Sequence, residues 1–213
     1  MSNILVYALG FLAQGFFSAR MLVQWIMSEK AKRSLSPDVY WLFSLAGSML
    51  LFAYGYLRDD FSIIFGQFIS YYIYIWNLSI KGVWRRIPKV IRAATACLPI
   101  AALAMMLADA SAFVQTFFRN DKVPIWLLVF GSAGQFIFTI RFIYQWYYSY
   151  RRHASILPVG FWAISLIGSG IIVAYACFRL DPVLILGQSV GFITYSRNIV
   201  LCIRQGKGKT KEG

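Results

Sequence analysis

The chain repeats itself. Residues 4–77, moved forward by 121 positions, fall on 125–198 without a gap, and about 24 of the 74 paired positions are identical. A repeat of this kind confines the fold to two copies of one unit. The retained residues are not apolar filler. They include Gln14/Gln135, Arg20/Arg141, Gln24/Gln145, Trp25/Trp146, Ser34/Ser155, Pro37/Pro158, Trp41/Trp162, Ser44/Ser165, Gly47/Gly168, Tyr54/Tyr175, Arg58/Arg179, Asp60/Asp181, Gly66/Gly187, Gln67/Gln188, Tyr74/Tyr195 and Asn77/Asn198. Two copies of a scaffold need only matching apolar surfaces, so retained polar side chains point to a paired polar site as well.

Hydrophobic residues make up 59% of the chain and charged residues 14%, against about 25% charged in a soluble domain. Seven apolar runs, near 3–28, 38–57, 61–80, 91–108, 124–148, 159–178 and 182–202, are each long enough to cross a hydrocarbon layer of about 30 Å. The expected fold is an all-α polytopic membrane protein with little room for a soluble catalytic domain. The first run has no Lys or Arg before it and no small-residue cleavage site, which reads as a retained helix.

The net charge of +13 invites a nucleic-acid reading, but its distribution points elsewhere. If the loops alternate sides, one side receives Lys30, Lys32, Arg33, Lys81, Arg85, Arg86, Lys89, Arg92, Arg151, Arg152, Arg204, Lys207, Lys209 and Lys211, which is 14 of the 21 basic residues. Arg58, Arg119, Lys122 and Arg179 on the other side are accompanied by Asp59, Asp60, Asp121 and Asp181. This bias sets the N-terminus outside and the C-terminus in the cytoplasm. It makes membrane lipids the expected partners of the basic loops. Cys97, Cys177 and Cys202 have no motif spacing, so neither a disulfide framework nor a metal site is expected, and each reads as a small packing residue.

Three spans form the first repeat (1–80). A basic loop and one unduplicated helix follow (81–123), then the second repeat (124–202) and a basic tail (203–213). Three spans invert the chain, and the extra helix restores its direction, so the two repeats are parallel in a 3+1+3 layout. Pro37 and Pro158 are expected in the first turn of each second helix, with Ser36 as a cap. Asp60 and Asp181 read as caps of each third helix, paired with Arg58 and Arg179. Gly47/Gly168 and Gly66/Gly187 read as close-packing sites.

Arg20 and Arg141 each lie about eight residues, or ~12 Å, from the basic end of their helices. An arginine at that depth faces protein or a water-filled cavity unless it snorkels to the surface. Each has a Gln four residues later, on the same helix face. Two guanidinium groups with no matching intramembrane acid call for an anion. Gln24/Gln145, Trp41/Trp162, Tyr74/Tyr195 and Asn77/Asn198 fall in the same half of the layer. Gln14/Gln135 fall near its middle, and Gln67/Gln188 with Tyr54/Tyr175 fall in the other half. All of these but Tyr54 and Tyr175 form the candidate ligand-binding set, together with Arg20, Arg141 and Arg197. No catalytic residue, cofactor or metal is expected: His153 is the only histidine, and the one acid not obviously in a turn, Asp109, has no repeat partner and falls near the opposite surface.

The motifs Arg20-x-x-x-Gln24-Trp25, Ser34-x-x-Pro37, Tyr40-Trp41, Arg58-x-Asp60, Gly66-Gln67 and Asn77, with their second copies ending in Arg197-Asn198, resemble the lipid A biosynthesis N-terminal domain family over about 150 of 213 residues. The first copy departs at Trp76, where the second has Arg197. The resemblance implies kinship with the SWEET, semiSWEET and PQ-loop transporters, which are built from three-helix units, with full SWEETs arranged 3+1+3. It also implies work on lipid-linked sugars, with Asn77 and Asn198 as sugar contacts. In some bacteria this domain is fused to lipid-A-disaccharide synthase, whose glycosyltransferase domain has no counterpart here, so no enzymatic activity is carried over.

The leading expectation is a bacterial inner-membrane flippase for a lipid-linked sugar or polyprenyl-phosphate glycolipid. Arg20 and Arg141 would hold the phosphate, the Gln and Asn residues would hydrogen-bond the ligand, Trp41 and Trp162 would stack on a ring, and Arg197 would add charge in the second copy. A free-sugar transporter of SWEET type and a non-catalytic subunit of a membrane glycosyltransferase are the alternatives.

Overall fold

Both copies fold into the same three-helix unit. The computed structural model describes residues 3–108, 114 and 124–209, and every regular element among them is helical. The first copy forms α1 (Asn3–Ala31), α2 (Asp38–Leu57) and α3 (Phe61–Ile80). A single turn of helix, α4 (Val83–Arg86), breaks the expected basic loop and is followed by α5 (Lys89–Leu107). The second copy forms α6 (Ile125–Arg151), α7 (Val159–Arg179) and α8 (Pro182–Lys209).

Six helices, α1, α2, α3, α5, α6 and α7, are long and apolar enough to cross a membrane. The sequence leads to seven. The exception is α8, in which Gln188, Ser189, Thr194, Ser196, Arg197 and Asn198 dilute the apolar residues.

Within each unit the first helix packs on the second and the second on the third. The units meet twice, α3 against α6 and α8 against α1, so the six helices close into a ring with two equivalent seams. Small residues set the approach at these contacts. A Cβ on Gly168 would lie 2.8 Å from the Phe138 backbone, and one on Gly47 would lie 2.9 Å from the Phe17 ring. Across the seams, a Cβ on Gly66 would overlap the Gln135 amide, and one on Gly187 would overlap that of Gln14.

The turns repeat in conformation where they do not repeat in residue. Lys32 and His153 occupy equivalent positions with φ of 52° and 48°, and Asp59 and Leu180 do so at 53° and 48°. This left-handed geometry costs a non-glycine residue about 1–2 kcal/mol, and both copies adopt it to end a helix. Two expectations are corrected here. Pro37 and Pro158 precede α2 and α7 at the cap position and do not lie in the first turn. Ser36 caps nothing: its Oγ lies 2.8 Å from Ser155 Oγ, across the repeat boundary. Asp60 does cap α3, accepting from Ile63 N at 3.2 Å, and Asp181 accepts from Val183 N and Leu184 N at 3.0 and 3.1 Å.

The unduplicated α5 lies outside the ring against α3, and among its described residues only Pro99 is buried. A proline in a helix interior has no N–H for the carbonyl four residues earlier. That carbonyl belongs to Thr95, and the Tyr71 hydroxyl of α3 donates to it at 2.7 Å. Tyr72 donates to the next carbonyl, Ala96 O, at 3.0 Å. The defect in α5 is thus its attachment point. Of the cysteines, half-buried Cys202 packs against the core as expected, whereas Cys97 and Cys177 are exposed.

Candidate functional site

The ring encloses a cavity between α1, α3, α6 and α8. Gln14, Arg20, Gln67, Tyr74, Gln135, Arg141, Gln188 and Tyr195 all line it. Its volume is about 40 Å³, room for a few waters at about 10–15 Å³ each. No Asp or Glu among the described residues lines it.

Arg20 and Arg141 are 3% and 2% exposed. Each guanidinium lies over the phenylalanine three residues earlier on its helix, Arg20 at 4.4 Å from the centre of Phe17 and Arg141 at 3.1 Å from that of Phe138. Both also reach the Phe142 ring, at 5.9 and 4.4 Å, so the two charges share one aromatic neighbour. The pair is unequal. Arg20 Nη1 donates to Ser44 Oγ at 2.6 Å and to Tyr74 Oη at 3.4 Å, leaving Nε without a partner. Arg141 has no partner at Nε or at Nη1. Gln14 Nε2 and Gln67 Oε1 are also buried and unpartnered. Such groups are rare in a native interior, because each forfeits about 1–3 kcal/mol when left unbonded.

The other amides are bound to each other. Gln24 Nε2 donates to Asn198 Oδ1 at 2.8 Å and Asn198 Nδ2 returns to Gln24 Oε1 at 3.1 Å. Gln145 and Asn77 do the same at 3.0 and 3.1 Å. Each Gln also donates to a carbonyl of its own turn, Leu35 O at 3.3 Å or Ile156 O at 3.1 Å. Trp41 Nε1 donates to Ser36 Oγ at 2.8 Å and Ser155 Oγ at 3.1 Å, and Trp162 Nε1 to Ser34 Oγ at 3.3 Å. Both indoles are fully buried. They face Tyr74 and Tyr195 with ring centres 6.0 and 6.2 Å apart and do not border the cavity. This Gln/Asn/Ser/Trp layer closes the end of the ring nearest the basic turns.

The opposite end is closed by reciprocal contacts as well. Tyr54 Oη donates to Asp181 Oδ2 at 2.9 Å, and Tyr175 Oη to Asp60 Oδ2 at 2.8 Å. Burial pushes the Asp60 carboxyl above the ordinary carboxylate range, opposed by the Tyr175 hydroxyl and the Arg179 charge. Arg58 does not pair with Asp60 beside it. Its Nη2 lies 3.8 Å from Asp181 of the other copy.

Arg197 stands away from the cavity. Its Nε and Nη2 bind the two carboxylate oxygens of Glu29 across the α1–α8 seam, the second at 3.0 Å. The equivalent residues in the α3–α6 seam are Trp76 and Tyr150. Trp146 lies between them, 6.1 Å from Trp76 and 5.8 Å from Tyr150, centre to centre. Glu29 also accepts from Trp25 Nε1 at 3.0 Å.

Some residues of the site escape the sequence reading. Ser44 is not among them: its retention as Ser165 marked it, and the structure makes it the anchor of Arg20. Phe17 and Phe138 are also retained in register, but a phenylalanine in an apolar run reads as filler. Tyr40, 5.2 Å from the Arg20 guanidinium with a buried hydroxyl that has no partner, corresponds to Phe161 and was marked only as the aromatic residue before Trp41. Among the described residues no group of three or more His, Cys, Asp or Glu could hold a metal ion.

The family model of the Lipid A Biosynthesis N-terminal domain matches residues 9–79 and again 130–200, two segments offset by the spacing of the repeat. The chain is 28% identical to a lipid-A-disaccharide synthase of Chlamydia abortus, over 95% of this chain and 34% of that protein. It is 28% identical to that of Chlamydia pneumoniae and 26% to that of Chlamydia trachomatis serovar D, each over 94% of this chain and 34% of the relative. The chain thus spans about a third of the length of these curated relatives. No solved structure matches it.

Proposed function

The chain belongs to the Lipid A Biosynthesis N-terminal domain family, and we propose that it carries an anionic glycolipid, a lipid-linked sugar or polyprenyl-phosphate glycolipid, across the bacterial inner membrane. One observation supports this reading above the rest. Two buried guanidinium groups with unpartnered N–H groups border a cavity that no Asp or Glu among the described residues lines. Arginine in such a setting is suited to a phosphate, whose oxygens it binds in pairs. In this reading Arg141 takes the phosphate first, because its donors are free. Arg20 adds the second charge. Gln14, Gln67, Gln135 and Gln188 with Tyr74 and Tyr195 provide neutral donors and acceptors for the sugar. Gln24, Gln145, Asn77 and Asn198, with Trp41 and Trp162, act through closure of one end, and Arg197 through its seam.

The cavity is too small for a headgroup as it stands, so transport requires the two end layers to part in turn. We take α8 as the seventh span, sheltered by α7 and α1, with the basic turns in the cytoplasm and the N-terminus outside.

A second reading, a non-catalytic membrane subunit of a lipid-modifying glycosyltransferase, is favoured by the relatives' name and by the fraction of their length that this chain spans. Reconstitution separates the two. In proteoliposomes Arg20→Ala and Arg141→Ala are each expected to cut translocation of a labelled polyprenyl-phosphate sugar at least tenfold, with normal membrane insertion. Unchanged translocation in both variants overturns the carrier reading. Co-purification with a glycosyltransferase and indifference to both substitutions would favour the subunit.

A further inference from the structure

The copies differ at one surface in a way their shared fold does not require. At the start of α2, Asp38 Oδ1 binds Lys81 Nζ at 3.0 Å. The equivalent positions in the second copy hold Val159 and Cys202, so this ion pair has no counterpart there. A groove of about 530 Å³ opens instead, between the turn at 33–36, the turn at 155–158, α6 and α8. That volume is within the usual range of about 300–1,000 Å³ for small-molecule sites.

The charged residues of the groove are Arg33 and Arg152, and no Asp or Glu among the described residues lines it. The Arg152 guanidinium lies over the Tyr148 ring, 4.4 Å from its centre. Tyr144, Tyr148, Val159 and Cys202 supply apolar and aromatic wall. The groove shares no lining residue with the Arg20/Arg141 cavity.

We infer that this groove seats the phosphate of an anionic lipid headgroup on Arg33 and Arg152, with the top of the lipid chain against Tyr144, Tyr148 and Val159. The charge is complementary, since two cations meet no carboxylate there. The apolar wall selects a lipid over a free anion, which has no use for it. The position fits as well: α6 and α7, whose ends form the groove, are long and apolar enough to cross a membrane, so the groove lies where headgroups lie. The first copy has its own ion pair at the equivalent place, and Val23, Met27 and Ala31 stand where Tyr144, Tyr148 and Arg152 line the groove. The site therefore sits on one side of a duplicated molecule, independently of what the central cavity takes.

Native mass spectrometry of the full chain, released from micelles doped with phosphatidylglycerol or with phosphatidylcholine of the same chains, tests this. The wild type should retain one phosphatidylglycerol in preference to phosphatidylcholine. Arg33→Gln/Arg152→Gln should lower that retention about tenfold or more, as expected for two lost cations at a membrane surface. Val159→Asp/Cys202→Lys, which copies the Asp38–Lys81 pair into the second unit, should do the same with both arginines intact. Arg141→Ala should leave retention unchanged while it cuts translocation at least tenfold. Wild-type retention in both double variants overturns the inference, and so does displacement of the lipid by millimolar inorganic phosphate. Loss of the lipid in Arg141→Ala alone would assign it to the central cavity and overturn the groove.

Discussion

Gln24 and Asn198 exchange both of their amide hydrogen bonds across the boundary between the repeats, and neither side chain is exposed. The same exchange joins Gln145 and Asn77. Each pair spans one seam of the ring, and each Gln also holds its own turn in place. The amides therefore couple three things: the seam, the turn and the closure of one end.

Removing one partner should expose that coupling. Gln24→Ala leaves Asn198 Oδ1 buried without its donor, although Nδ2 keeps Thr194 O, at a cost of about 1–3 kcal/mol; Gln145→Ala should cost less, because Asn77 Oδ1 still accepts from Ser155 Oγ. A Gln24/Asn198 double-mutant cycle, read by thermal unfolding in detergent, should give a coupling energy of about 0.5–1.5 kcal/mol, the range found for polar pairs between membrane helices. Additive costs would mean that the exchange holds nothing.

The two arginines should separate in their effects. Arg20 is tied to Ser44 and Tyr74, whereas Arg141 has donors to spare. Arg20→Ala should therefore lower the unfolding temperature more than Arg141→Ala, and Arg141→Ala should lower headgroup translocation at least as much. Ser44→Ala should move the Arg20 profile toward that of Arg141. Measuring both quantities on each variant checks the assignment.

Pro99 of α5 and Tyr71 of α3 form a testable unit. Tyr71→Phe strands the Thr95 carbonyl, a loss of about 1 kcal/mol. In a Pro99→Ala background residue 99 regains an N–H for Thr95 O, so the same substitution should cost much less. The double-mutant cycle in urea or by thermal unfolding should be non-additive by about that amount.

Asp60 makes the other closed end sensitive to pH. Its buried carboxyl holds a proton more tightly when folded than when unfolded. Its contribution is therefore fully present below the ordinary carboxylate range, near about 4. It is lost as pH rises from there through the higher folded value. The unfolding temperature of the wild type should fall over that interval more steeply than that of Asp60→Asn. Identical slopes would remove Asp60 as the cause.

The sequence carried the repeat, and with it the ring, because retention at a fixed offset is visible without coordinates. It also picked out the eight cavity residues from Gln14 to Tyr195. It could not separate them from Gln24, Gln145, Asn77 and Asn198, since a residue kept to bind its opposite number is retained as faithfully as one facing a cavity. Phe17 and Phe138 were invisible because a ring under a guanidinium is a relation in space, and phenylalanine is ordinary in an apolar helix. The Ser36–Ser155 contact was mistaken for a local cap because it joins residues 119 apart. Asp38 and Lys81, absent from the second copy, carried information through their lack of repetition.

The two seams of the ring are held by different forces. One has the Glu29–Arg197 ion pair, each side chain about a third exposed, and the other has the rings of Trp76, Trp146 and Tyr150, the first pair edge to face and the second tilted. Added salt screens the first and leaves the second nearly untouched. Spin labels across the α1–α8 seam should thus drift apart as ionic strength rises, while labels across α3–α6 hold their distance. Equal movement at both would contradict this. A molecule assembled from two copies of one unit then behaves like a book, with an aromatic spine and a charged fore-edge.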